Sequence, residues 1–263
     1  MAQRGETPDH LSSEAAALVR FYDDAYTQDA ADADRYSRWR ALGARGKADH
    51  VIALCERAGL APRSTLEVGC GDGALLCELH ARGFGGRLAG VEITEAAVVI
   101  AARRGAIERV ALYDGSRLDE PDGAFELGVV SHVLEHVPDP PALLAEVARV
   151  CGAVLVEVPL EANASARRAS KRVHAAEVGH LQRLDRPAVR AIAARADLDL
   201  IAELEDPLPL AAHRFFASGA RASAVATAKW ALRVALHRLA PTLARRLFTV
   251  HYACLCVPRA RTR

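Results

Sequence analysis

The amino-acid sequence predicts an α/β fold built on a mostly parallel sheet, and three observations carry that prediction. Short apolar runs alternate with amphipathic stretches of helical spacing between residues 64 and 205. The first run leads into glycines at alternate positions, Leu66-Glu67-Val68-Gly69-Cys70-Gly71-Asp72-Gly73, with Ala74, Leu75, Leu76 and Leu79 following at helical spacing. Acids recur where successive runs end, at Glu67, Glu92 and Asp114. Repeated β-α units of this length demand parallel strands joined by right-handed crossovers, and ligands then bind beyond the carboxyl ends of the strands.

Taken in order, residues 13–45 have a helical pattern rich in aromatics (Phe21, Tyr22, Tyr26, Tyr36 and Trp39). A second amphipathic helix spans 47–58, with Val51, Ile52, Leu54 and Cys55 on its apolar side. The regular alternation then gives strand 64–69 and helix 73–82, strand 86–92 and helix 94–104, strand 108–112, strand 126–131 and helix 139–150. Strand 152–158, helix 186–196 and strand 198–205 follow, with Asp185 placed as the N-cap of that helix. The seventh strand is 248–257, where Val250, Tyr252, Cys254 and Cys256 share one face. Two connections, 160–183 and 206–247, are longer than simple loops, and such stretches hold helices of their own or cover a site. The second contains a helical pattern over 223–239, Pro241, and basic residues at Lys229, Arg233, Arg238, Arg245 and Arg246. A basic amphipathic helix of this kind is either a solvated face or a contact for a membrane surface or an anionic ligand.

At 263 residues the chain accommodates one large α/β domain with embellishments. The 34 basic and 33 acidic residues nearly cancel, which argues against nucleic acid as a partner. Six cysteines show no CxxC pair and no regular framework, so they read as small apolar residues in a reducing compartment. No apolar run reaches transmembrane length and residues 1–10 are polar, so a cytoplasmic protein is expected.

The E-x-G-x-G-x-G run with a strand-end acid 23 positions beyond Gly69 resembles the class I S-adenosylmethionine-dependent methyltransferases, over about residues 60–205. A dinucleotide fingerprint spaces its glycines G-x-G-x-x-G, and Ala74 stands where its last glycine would be. The resemblance implies a Rossmann-like fold whose mostly parallel seven-stranded sheet carries helices on both faces. A helical cap (1–60) would precede a methyltransferase domain (61–263) with a helical insertion at 206–247. It implies that the turn Gly69, Cys70, Gly71 and Gly73 takes the methionine portion, with Glu67 near its ammonium end. Glu92 then takes the ribose hydroxyls, Ile93 flanks the adenine, and Asp114 with Gly115 meets the adenine amine. Ser131 and His132 lie near the sulfonium, and the N-terminal helices cover the pocket, with Tyr22 and Tyr26 as substrate-binding candidates.

The stretch Ser131-His132-Val133-Leu134-Glu135-His136-Val137-Pro138-Asp139 resembles the reacting side of small-molecule and RNA methyltransferases of this superfamily. Histidine takes a proton near neutral pH, so His136 and His132 are the base candidates, and His180 is a further catalytic candidate as well as a pocket-wall, substrate-binding one. On a helical turn His132, Glu135 and His136 project to one side, where with His180 they form a candidate divalent-metal set. The related metal-dependent O-methyltransferases carry E-x-x-E-H there, and His132 replaces the first acid. Glu157, at the tip of the fifth strand, either meets the substrate or pairs with Arg167 or Arg168, the pairing being the expected role. The expected function is methyl transfer to O or N of a small molecule, with a histidine base. The alternatives are an RNA or lipid-like acceptor with a metal at His132, Glu135, His136 and His180, and a non-catalytic cofactor-binding partner protein.

Overall fold

The structure, a computed structural model, describes residue 19, residue 26 and residues 30–260. The readings at Phe21 and Tyr22 lie outside the described residues. Seven strands form one sheet in the order β3-β2-β1-β4-β5-β7-β6. They are β1 (Ser64–Val68), β2 (Arg87–Glu92), β3 (Arg109–Leu112), β4 (Phe125–Ser131), β5 (Cys151–Pro159), β6 (Leu198–Asp206) and β7 (His251–Pro258). β7 alone is antiparallel to its neighbours, inserted between β5 and β6. The order reverses between β1 and β4, which pair in parallel from Thr65↔Leu127 to Val68↔Val130. That reversal opens a crevice at their carboxyl ends.

Both sheet faces are buried, so the strands read as continuous apolar runs whose alternate residues enter different cores. Leu66, Val68, Val130, Val154, Val156, Tyr252 and Cys254 belong to one core, with Leu144, Val147 and Ile192 from α4 (Pro140–Val150) and α6 (Arg186–Arg195). Leu127, Val129, Leu155 and Leu255 belong to the other, under α1 (Ala30–Arg57), α2 (Ala74–Ala81) and α3 (Glu95–Ala102). Asp185 caps α6 as expected, accepting from Ala188 N at 2.9 Å, and Asp139 caps α4 in the same way, accepting from Ala142 N at 3.2 Å.

Two readings need correction. The N-terminal pattern does not break near residue 46; α1 is continuous over 28 residues. Gly43 and Gly46 lie within it without a neighbour in Cβ range, and the burial of Ala44, Ala48, Val51, Leu54 and Cys55 outweighs their low helix propensity. Glu157 does not pair with Arg167 or Arg168, because it is fully buried and surrounded by histidines. The long connections contain helices as expected: α5 (Ala169–Glu177) in the first, then α7 (Leu210–Arg214), α8 (Gly219–Leu239) and α9 (Pro241–Leu247) in the second. On α8 the residues Val225, Leu232 and Leu239 face outward, 47%, 69% and 86% exposed. Among the described residues no helix is long and apolar enough to cross a membrane.

Candidate active site at the carboxyl rim of the sheet

The glycine turn follows β1. Gly69, Gly71 and Gly73 adopt φ of 75°, 54° and 75°, a region that side chains other than glycine enter at a cost. Added Cβ atoms would lie 2.5 Å from Val133 Cγ2, 2.7 Å from Tyr26 Oη and 2.4 Å from Ile107 Cδ1, so bare backbone is required three times over. The turn is tied to the tip of β2 by Glu92, whose carboxylate accepts from Gly71 N at 2.8 Å and Ile93 N at 2.6 Å. Asp72 is held by Arg40 and Arg104, each at 3.0 Å, and caps Ala74 N at 3.2 Å. Cys70 is buried within the turn, and burial pushes its thiol far above the ordinary range.

Glu67 is 4% exposed, and its Oε2 has no hydrogen-bond partner among the described residues. Burial raises its carboxyl to about 8 against the opposing charge of Lys47 on α1. A buried carboxyl with an unpartnered oxygen beside a glycine turn has the chemistry to receive a ligand ammonium, whose charge would favour the ionised form. Asp114 accepts from Ser116 N and Oγ, both at 2.8 Å, and from Arg117 N at 3.1 Å, which shapes the exposed turn through Gly115. Tyr26 lies over Gly71, with the Arg40 guanidinium 4.7 Å from its ring centroid, so it covers the glycine turn.

Two histidine–carboxylate clusters follow β4 and β5. In the first, Glu135, His136 and His180 bring ligand atoms within 4.8 Å of one another. His136 Nδ1 lies 3.2 Å from the Gly179 carbonyl, and His180 Nδ1 lies 2.8 Å from Glu161 Oε2. The rings meet edge to face at 4.7 Å. Burial and the neighbouring His180 hold His136 down at about 4, whereas Glu161 outweighs burial and raises His180. Glu135 is 2% exposed, neither oxygen has a hydrogen-bond partner among the described residues, and burial lifts it to about 7.

In the second cluster Glu157 Oε1 faces His50 Nδ1 at 3.3 Å, His251 Nδ1 at 3.5 Å and His132 Nε2 at 3.8 Å. Its Oε2 receives Ser131 Oγ at 3.4 Å, and His50 Nε2 reaches Asp206 at 3.2 Å. Burial opposes ionisation of Glu157, but the three imidazoles outweigh it and hold the carboxyl well below its usual range. Burial likewise opposes a charged His50, yet Asp206 and Glu157 raise it to about 10. His132 is held down at about 3 by burial and by Lys47.

The helical-turn reading of His132, Glu135 and His136 is therefore corrected. Leu134–His136 is a single 3-10 turn, and His132 stands before it at φ 58°, with its backbone N bonded to Glu157 O at 2.8 Å. Its Nε2 turns to Glu157 and His251, although Nδ1 remains 3.6 Å from Glu135. Sequence reasoning passed over His50, His251 and Lys47. Strand parity was the available signal, since Ser131, Glu157 and His251 share the phase of Val129, Leu155 and Ala253 and so point to the α1 face. A cleft of about 490 Å³ opens at the opposite rim, beside Gly59, Phe125, Glu126 and Gly152, away from these groups.

A family model described as a methyltransferase domain matches residues 36–203. The chain belongs to this methyltransferase family. The sheet order and the glycine turn place it with the class I S-adenosylmethionine-dependent methyltransferases. It is 35% identical over 102 residues to a ubiquinone biosynthesis O-methyltransferase of Pseudomonas paraeruginosa, a match covering 36% of this chain and 41% of that protein. It is 35% identical over 103 residues to ajmaline N-methyltransferase of Rauvolfia serpentina, covering 36% of this chain and 35% of that one. These matches span about two fifths of the relatives' own length. Geranyl diphosphate C-methyltransferase of Streptomyces coelicolor shares the fold, with a TM-score of 0.62 at 14% identity over 95% of this chain and 99% of that one.

Proposed function

We propose that this methyltransferase moves a methyl group from S-adenosylmethionine to an oxygen or nitrogen of a small-molecule acceptor, chiefly by positioning, with a histidine accepting the released proton. The observation that carries the reading is the gathering, at the carboxyl rim by the β1/β4 crevice, of a positive-φ glycine turn, a buried Glu67 with one unpartnered oxygen and a pair of facing histidines. When bound, the cofactor supplies an already activated methyl on its sulfonium. The backbone of Gly69, Cys70, Gly71 and Gly73 receives its amino-acid portion, and Glu67 compensates the ammonium. Glu92 holds the turn and takes the ribose hydroxyls; Ile93 flanks the adenine, and Asp114 with Gly115 meets its amine. Ser131 and His132 border the reacting centre, and Tyr26 closes the turn. Much of the acceleration in such a site comes from aligning the acceptor.

The geometry favours His180 as the base over His136 and His132. A carboxylate behind His180 Nδ1 raises its proton affinity, while His136 and His132 are depressed by burial. The O- and N-methyltransferase relatives support an O or N acceptor. Calorimetric titration with S-adenosylhomocysteine and with NAD tests the cofactor assignment, and methyl uptake from labelled cofactor by phenol and amine panels tests the acceptor. Binding of NAD without S-adenosylhomocysteine overturns the reading.

A second reading adds a divalent metal, favoured by the two unpartnered oxygens of buried Glu135. Glu135, His136 and His180 fit such an ion, because each imidazole has its Nδ1 anchored on an oxygen, as metal-ligating histidines do. His132, expected in this set, falls outside it. The ion would act as a Lewis acid on an acceptor oxygen. Full activity after exhaustive chelation removes this second reading.

A further inference from the structure

We propose that His132, Glu157 and His251 form a separate site for a divalent cation of the zinc class, with His50 as the residue that orients the carboxylate. Four features lead there. The ligand atoms of the three residues lie within 4.8 Å of one another. Glu157 Oε1, fully buried, has no hydrogen-bond partner among the described residues, and neither has His132 Nε2. The separations of Oε1 from the imidazole nitrogens, 3.5 Å to His251 and 3.8 Å to His132, exceed those of charge-assisted hydrogen bonds, which run about 2.7–2.9 Å. Donors about 2.0–2.1 Å from a tetrahedral ion stand about 3.3–3.4 Å apart, so each carboxylate–imidazole pair needs to contract by only a few tenths of an ångström, and the two imidazole nitrogens close on the ion from within 4.8 Å of each other.

Two imidazoles and one carboxylate are the donor set of zinc and the later first-row ions, whereas magnesium and calcium take oxygen. The ligands come from rigid places: the tips of β4 and β5 and the first residue of β7. His50 approaches the carboxylate from α1 and is itself held by Asp206 at 3.2 Å, the outer support that metal-binding groups use. Three protein ligands leave a coordination position for water or an oxygen of a bound molecule.

The test needs no acceptor and no methyl transfer. Full-length protein dialysed against chelator is titrated with Zn²⁺ in competition with a chromophoric chelator, and with Co²⁺ followed by visible absorption. The His180→Ala variant, which removes the Glu135 cluster as a competitor, is expected to retain one tight ion with a Co²⁺ spectrum of mixed nitrogen and oxygen ligation. Adding His251→Ala or Glu157→Gln is expected to weaken that ion by more than about 100-fold. S-adenosylhomocysteine affinity and the melting temperature report folding in every variant and test the cofactor reading separately. Absence of a tight ion in His180→Ala overturns the proposal, as does Zn²⁺ affinity within threefold of that variant once His251 or Glu157 is replaced in folded protein.

Discussion

Replacing Glu92 tests the cofactor half of the site. The carboxylate is 8% exposed and accepts two backbone N–H groups, from Gly71 at 2.8 Å and Ile93 at 2.6 Å. Hydrogen bonds to a charged group are worth about 1.5–3 kcal/mol each net. In Glu92→Ala both N–H groups, on partly buried residues, regain part of that from water, so the fold is expected to lose only about 1–2 kcal/mol. That lowers the melting temperature by about 2–8 °C. Ligand binding loses more, because the variant must reorder the Gly69–Gly73 turn and offers the ribose no anion. A cost of about 2–3 kcal/mol, or 30- to 150-fold in Kd for S-adenosylhomocysteine, is expected by calorimetry. Glu92→Gln keeps one acceptor oxygen for one of the two N–H groups and falls between. Affinity within twofold of the parent in folded Glu92→Ala refutes the assignment of Glu92.

Other perturbations address other parts of the molecule. His180→Gln is expected to lower kcat by about 100-fold or more while leaving S-adenosylhomocysteine affinity unchanged, checked by steady-state kinetics and calorimetry. Since Glu161 raises His180, the rate of the parent should climb with pH through a value above the ordinary histidine range. Gly86→Ala puts a Cβ 2.2 Å from the Arg63 carbonyl oxygen at φ 62°, and a loss of more than about 3 kcal/mol in denaturant unfolding is expected. In chelator-treated protein His50, raised to about 10, contributes stability that is complete below about pH 6.5 and is lost as pH rises toward 10. Melting temperatures should fall over that window, and His50→Gln should flatten the slope.

The turn and the acids around it were legible because their signals are local. Glycines at alternate positions, a strand-end acid and the cap Asp185 each depend on a few neighbouring residues. The histidine–carboxylate clusters after β4 and β5 were less legible because their members are distant in sequence. Glu157 meets His50 and His251, each more than ninety positions away; the pairing of β5 with β7 brings His251 and the packing of α1 on the sheet brings His50. An exposed arginine partner was the natural local guess, and the fully buried position of Glu157 displaced it. His132 departed from helical spacing for a single backbone reason, its φ of 58°, which no periodicity announces. The unbroken α1 shows the opposite case, where a buried apolar stripe overrides two helix-weakening glycines.

The placement of β7 also bears on how the molecule comes into being. A ribosome finishes β5 and β6 well before it makes the strand that belongs between them, so both must wait with ladder edges unsatisfied. Nascent chains are then exposed to misassembly until the closing segment slots in, and His251 arrives with it. The contact between His251 and Glu157 is thus among the last in the molecule to form.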